Sequence, residues 1–198
     1  MWLRRYCMAL VGSVVLAVGA LSGARAADAT DVNEPVLLVA KPELGEFYRS
    51  TVLFVRPMGN GRHVGFIINR PTPMTLGKLF PEHGPSQKVT NPVLLGGPVN
   101  VDSVFAVVHR QAVPGDKSIP LSADMSLAFD ADTVDRIIEQ DGNAARFFVG
   151  LVVWQPGELE QELQKDFWFV MQNDADLVFR KTTDGLWEEL VQRSRNSL

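Results

Sequence analysis

The side chains best suited to proton transfer near neutral pH are the three histidines, His63, His83 and His109. No two of them form a helical His-x-x-x-His pair, and no His-Glu-x-x-His motif occurs, so a zinc site is not indicated. His109 follows the apolar run Val104 to Val108 and stands beside Arg110, where a ring nitrogen could serve a hydrolase as base. Its nucleophile would have to be a serine such as Ser50 or Ser103, but no Gly-x-Ser-x-Gly elbow is present. A structural histidine is therefore favoured, and a His109 hydrolase stands as the alternative. Glu158, Glu160 and Glu162 form a second cluster, in which Glu158 and Glu162 share a helix face at i, i+4. Acids at a helix start are also what the helix dipole favours, so a solvated face is expected.

Binding chemistry has better candidates. Asn69-Arg70-Pro71 combines a guanidinium fork with an amide at the end of an apolar run, a pattern suited to an anion or an acidic partner. The competing expectation is that Asn69 bonds backbone, Arg70 pairs with an acid and Pro71 ends a strand. Gly96-Gly97-Pro98 could offer backbone N–H groups to an anion, although it lacks phosphate-loop and dinucleotide spacing and suits a tight turn better. Asn69, Arg70, Pro71, Gly96, Gly97 and Pro98, with Trp154, are the candidate binding set. No catalytic residue, metal or cofactor is assigned. Trp154, Phe167, Trp168 and Trp187 are expected as core anchors, since a stacking platform for nucleic acid needs basic neighbours and this region is acidic.

The elements that position these residues can be read from the pattern. Val36 to Ala40, Thr51 to Val55 and Val64 to Ile68 read as strands, the last two joined as a hairpin through a polar Pro57–Arg62 loop holding Asn60-Gly61. Leu76, Leu79 and Phe80 form a helical turn stopped by Pro81. Further strands are expected at Val93 to Leu95, Val104 to Val108, Ser118 to Leu121 and Met125 to Phe129. Asp130 should cap a helix with a Val134, Ile137, Ile138 stripe, ending at Gly142 as a C′ glycine. Phe147 to Trp154, the longest apolar run beyond the N-terminal segment, is the expected core strand. Pro156 should open a helix with Leu159 and Leu163 inward. Phe167 to Val170 reads as a strand and Asp176 to Phe179 as a short strand or turn. A last helix, capped by Asp184, should bury Leu186, Trp187, Leu190 and Val191. The order predicts a single α+β domain with antiparallel pairing.

Of the 198 residues, 46% are hydrophobic and 21% charged, which excludes a disordered tail and a polytopic membrane protein. The formal charge of −4 gives no basic excess for nucleic acid. Arg4 and Arg5, the uncharged run Cys7 to Leu21 and the small-x-small triplet Ala24-Arg25-Ala26 match a secretory leader. The run is short for a spanning helix. Cleavage is expected after Ala26, with Ala27 a close second, leaving an acidic linker over 27–34 and a domain over 35–198. Loss of 26 residues that carry three arginines and no acid leaves 172 residues, 16 basic against 23 acidic, a formal charge of −7. The single cysteine, Cys7, leaves too, so core packing alone must hold the mature chain in an oxidising compartment.

Four blocks in order resemble the YqgE/AlgH family: LLVAKPELGEF from Leu37, GFIINRP from Gly65, LLGGPV from Leu94, and RFFVGLVVWQPGELEQEL from Arg146, followed by Trp168 and DADLVF from Asp174. The chain departs from the family pattern at Leu151-Val152-Val153 and at Glu158, and in carrying a leader. The resemblance implies an α+β fold with a bifurcated, partly barrel-like sheet flanked by helices, and no established enzyme activity. Members are often labelled transcriptional regulators. DNA binding ranks third as a mechanism here, given the acidic mature chain and no helix-turn-helix signature. The expectation is an exported periplasmic protein, with no membrane span after leader cleavage. It would bind a protein or small-molecule partner and no nucleic acid.

Overall fold

The computed structural model describes residues 32–112 and 117–196, so the leader lies outside the described residues. Ten strands form one sheet: β1 (Val36–Ala40), β2 (Val52–Gly59), β3 (Arg62–Ile67), β4 (Pro71–Thr75), β5 (Pro92–Leu95), β6 (Val99–His109), β7 (Ser118–Pro120), β8 (Met125–Ala128), β9 (Arg146–Trp154) and β10 (Trp168–Gln172). The helices are α1 (Leu76–Leu79), α2 (Ala131–Asp141), α3 (Glu158–Gln164), α4 (Ala175–Phe179) and α5 (Leu186–Asn196). The main path runs β10-β1-β2-β3-β9-β6-β8-β7, with β4 joined to β5 and β5 to β9.

The sheet forks on β9. Phe148 and Val149 of its first half pair in parallel with Leu94 and Leu95. Val152, Val153 and Trp154 of its second half pair antiparallel with Gly65, Val64 and His63. On the opposite edge β9 keeps β6 along most of its length. Every other strand pair is antiparallel. Gly150 lies at the fork with φ +70°, and side-chain parity reverses there. Phe148 and Leu151, three apart, both enter the same core, which strict alternation along a strand would forbid.

Three apolar clusters result. One fills the curl of the sheet and is closed by α4 and α5, through Leu177, Val178, Leu186, Leu190 and Val191. A second lies under α3, with Leu38, Leu53, Ile67, Trp154 and Trp168 around Leu159. A third lies under α2, with Val134, Ile137 and Ile138 on Ala106, Val108 and Phe147. β9 contributes to all three, which is why its sequence is apolar almost throughout.

Several expectations are corrected. β2 runs on to Gly59, so the loop shrinks to Asn60-Gly61, both with positive φ as a type I′ turn requires. Pro57 is tolerated in that strand because β1 begins opposite Val55 and so gives Pro57 no partner on that edge. Pro71 does not end a strand; it opens β4, which pairs with β5. Phe80 points outward, although Thr75 caps α1 and Leu76 is buried as the pattern suggests. Asp130 caps α2 through the Thr133 N–H, but Gly142 is right-handed. A Cβ there would meet Val89 Cγ2 at 2.5 Å, so packing demands the glycine. Pro156 precedes the α3 cap, which is Gly157 at φ +85°. Residues 176–179 are helical because the Asp174 carboxylate accepts the Asp176 N–H and starts α4. Left-handed Gly185 separates Asp184 from α5. Val32, expected in the linker, packs under α3, and its carbonyl accepts a bond from His63 Nε2.

Candidate functional site

Asn69 and Arg70, just past β3, hold the segment that joins β1 to β2. The Asn69 Nδ2 donates to Ser50 O at 2.9 Å, and its Oδ1 accepts the Val52 N–H at 2.8 Å. These bonds fix the turn at Ser50, whose φ is +54°. Among the described residues Arg70 pairs with no acid. Its Nη2 donates to Phe47 O at 2.7 Å, and the guanidinium lies 4.8 Å above the Phe47 ring. Phe47 is 37% exposed and meets Tyr48 edge-on at 5.1 Å. Tyr48 in turn meets Trp168 at 5.8 Å. Burial lowers the Arg70 pKa, with the neighbouring Tyr48 opposing that shift. Burial likewise raises the Tyr48 phenol; Glu162 adds to the rise and Arg70 works against it.

Trp154 is 3% exposed and belongs to the core. Its indole N–H donates to Glu162 Oε2 at 3.0 Å, and the Trp168 indole donates to the same oxygen at 2.9 Å. Glu162 is thus half-buried and bonded twice, not part of a solvated face. Glu158 accepts the Gln155 N–H at 2.7 Å. The two carboxylates of the suspected acid–base pair therefore hold structure at both positions. Trp187 also spends its indole N–H within the fold, on Ala40 O at 2.7 Å.

Gly96 offers no anion nest. Its N–H donates to Val149 O and its carbonyl accepts from the Ile67 N–H, both at 2.8 Å, stitching the two arms of the fork. A Cβ on Gly97 would lie 2.3 Å from the Leu151 carbonyl carbon, and one on Gly150 would lie 2.2 Å from Gly97 O. Two backbones cross here at a distance only glycines permit. Pro98 and Pro71 are exposed on either side. Within the candidate set, Asn69, Arg70 and Trp154 share one end of the molecule through Tyr48, Trp168 and Glu162. The glycines form the seam behind them. Sequence reasoning missed Phe47, Tyr48 and the role of Glu162; an aromatic pair just before a strand was the available signal.

His109 is exposed and stacks on Phe179, with centroids 4.0 Å apart and planes at 21°. It borders two clefts. One, of about 620 Å³, is lined by Asp124, Asp174 and Asp176 among others. The other, of about 380 Å³, is lined by Arg146, Asp141 and Lys181 among others. Carboxylates are therefore near the ring, but neither Ser50 nor Ser103 lines either cleft. The serine–histidine arrangement is not assembled around His109. Among the described residues no group of three or more His, Cys, Asp and Glu could hold a metal ion. No helix there is long and apolar enough to cross a membrane.

Comparison with known proteins agrees with this architecture. The fold is similar to the solution structure of the AlgH protein from Pseudomonas aeruginosa, with a TM-score of 0.68 at 20% identity, over 83% of this chain and 89% of that one. It is also similar to a crystal structure from Corynebacterium diphtheriae, with a TM-score of 0.66 at 23% identity, over 81% and 86% of the two chains. A UPF0301 protein of Thermobifida fusca is 31% identical over 82% of this chain and 87% of its own length. One from Streptomyces coelicolor is 31% identical over 82% and 86%. The AlgH-like family model, DUF179, matches residues 37–198, and with that span of agreement the chain belongs to the AlgH-like family.

Proposed function

We propose that this AlgH-like chain is an exported binding protein, acting in the periplasm by holding an acidic partner rather than by bond-making chemistry. One observation carries the reading. Among the described residues the Arg70 guanidinium is pinned over the half-exposed Phe47 ring by a single hydrogen bond, to Phe47 O. A guanidinium has five N–H donors, so four remain to form a fork for a carboxylate beside an aromatic surface. Asn69 anchors the same segment from beneath, which makes the arrangement rigid before any partner arrives. Export is supported by the leader pattern from Arg4 to Ala26 and by a mature sequence without cysteine.

Two measurements test the proposal. Cell fractionation with intact-mass analysis should find the chain outside the cytosol and lacking residues 1–26. A cytosolic chain that keeps Met1 to Ala26 would refute export. Arg70→Ala should lower recovery of cross-linked partners about tenfold, the share of binding that one charge-assisted anchor commonly carries. Arg70→Lys should restore little of it, because an ammonium cannot make the fork. Equal recovery by Arg70→Ala and wild type, at equal melting temperature, would remove the surface from consideration.

A further inference from the structure

At the opposite end of β9 stands a cation that the fold does not satisfy. Arg146 is 2% exposed, and its Nε, Nη1 and Nη2 are all shielded from solvent. None of the three has a hydrogen-bond partner among the described residues. A guanidinium keeps its proton in any protein environment, and burying one without a counter-charge is among the costliest choices a fold can make. Burial lowers the Arg146 pKa, with no opposing contribution from a neighbouring acid.

Its surroundings are shaped for a ligand. Arg146 lines the cleft of about 380 Å³, a volume within the range of small-molecule sites. Arg146 pairs with Val107 across the β6 ladder, which places it two residues from the register of His109. Lys181 adds a second cation to the lining, and Asn91 adds an amide. The carboxylate of Asp141, exposed on the same lining, is the opposing charge. Phe179, stacked on His109, supplies an aromatic wall. Lys181 and His109, which share this lining with Arg146, are exposed, so the cleft that Arg146 borders opens to solvent.

We propose that this cleft binds a small organic oxyanion, a carboxylate or phosphate group seated on Arg146 and Lys181 with its apolar part against Phe179. The site is separate from the Arg70 surface, and neither reading depends on the other.

Titration of the purified protein with benzoate and with inorganic phosphate tests it, read by the Arg146 Nε–H signal in a nitrogen–proton NMR spectrum. Saturable movement of that signal by either probe is the expected result. Benzoate alone would mark a carboxylate site, and phosphate alone a phosphate site. Arg146→Met should weaken the effective probe at least about tenfold, as loss of a charge-assisted fork does, while the melting temperature is kept or raised. Lys181→Ala, at an exposed position, should weaken it about threefold, the effect of one partly screened charge. If Arg146→Met fails to fold, the wild-type Arg146 signal and the Lys181→Ala affinity decide. No saturable shift with either probe, or affinities unchanged by both substitutions, would overturn the proposal.

Discussion

The polar side chains that β9 itself carries at its two ends, Arg146 and Trp154, are treated in opposite ways. At the Trp154 end, two indole N–H groups converge on one oxygen of Glu162, and Asn69 spends both ends of its amide on backbone. At the Arg146 end, three guanidinium nitrogens are buried with no partner among the described residues. The same strand, lying against β6 on one edge, begins beside β5 in an unpaired charge and ends beside β3 in an indole whose N–H is bonded. The first arrangement costs stability and the second supplies it. No hydrogen bond among the described residues offsets the burial of Arg146, and an oxyanion in the proposed cleft would supply the missing partner.

The comparison breaks most completely at the point between the two ends. Gly150→Ala places a methyl group 2.2 Å from Gly97 O on a residue with φ +70°. Neither backbone can yield without opening the fork, so a loss above about 4 kcal/mol is expected. Circular dichroism and recovery of soluble protein would show an unfolded or aggregated chain. A well-folded Gly150→Ala variant would mean that the crossing is looser than its geometry indicates.

A smaller effect sharpens the contrast itself. Glu162→Ala leaves the Trp154 and Trp168 indoles buried without an acceptor, at an expected cost of about 2–4 kcal/mol. Glu162→Gln keeps one carbonyl oxygen for the same geometry and should recover roughly half of that loss. Denaturant unfolding followed by tryptophan fluorescence reads both. The opposite-end substitution, Arg146→Met, should leave stability unchanged or higher. Should Glu162→Ala and Arg146→Met destabilise equally, the two ends would not differ in the way their hydrogen bonding implies.

The sequence disclosed the strands and most helices because their apolar spacing and caps are local. β1 announces itself as five consecutive apolar residues, and Asp130 caps α2 as its position suggests. The fork was legible only through resemblance, because a strand with three partners and a strand with two are both simply apolar. The inversion at Gly150 depends on a crossing with Gly97, more than fifty residues away in sequence. Asn69 and Arg70 were visible as candidates, but their partners at Ser50 and Phe47 are tertiary contacts with no local signature. Glu162 looked like a helix-surface acid, since nothing in i, i+4 spacing reveals two indoles arriving from β9 and β10. Arg146 carries no local signal of its burial for a related reason. One charge at the head of an apolar run ordinarily marks the end of a strand at the surface, and only the packing of β6, α4 and the Asn91 loop shows that it is buried.

The smallest expected effect belongs to a charge pair in the open, and it tests whether burial is what separates the two ends. Arg180 Nη1 donates to Glu189 Oε2 at 2.6 Å, and Arg193 reaches the other oxygen of the same carboxylate. Each member of the Arg180–Glu189 pair keeps 34% of its side chain exposed. The Arg180 hydrogen bond holds the Glu189 carboxyl below its ordinary value, against a weaker rise from burial. A depressed carboxyl stabilises the fold above its unfolded-state pKa and loses that contribution as pH falls through the folded value. Solvent screening limits it to about 0.5 kcal/mol. Glu189→Gln should therefore cost little at pH 7, less still in high salt, and nothing measurable once the wild-type carboxyl is protonated. Denaturant midpoints between pH 7 and pH 3, at low and high ionic strength, provide the check. If Glu189→Gln cost as much as Glu162→Ala, hydrogen bonding to a carboxylate would matter regardless of exposure. Burial would then no longer explain why the Glu162 bonds stabilise the Trp154 end while an unpaired Arg146 adds nothing at the other.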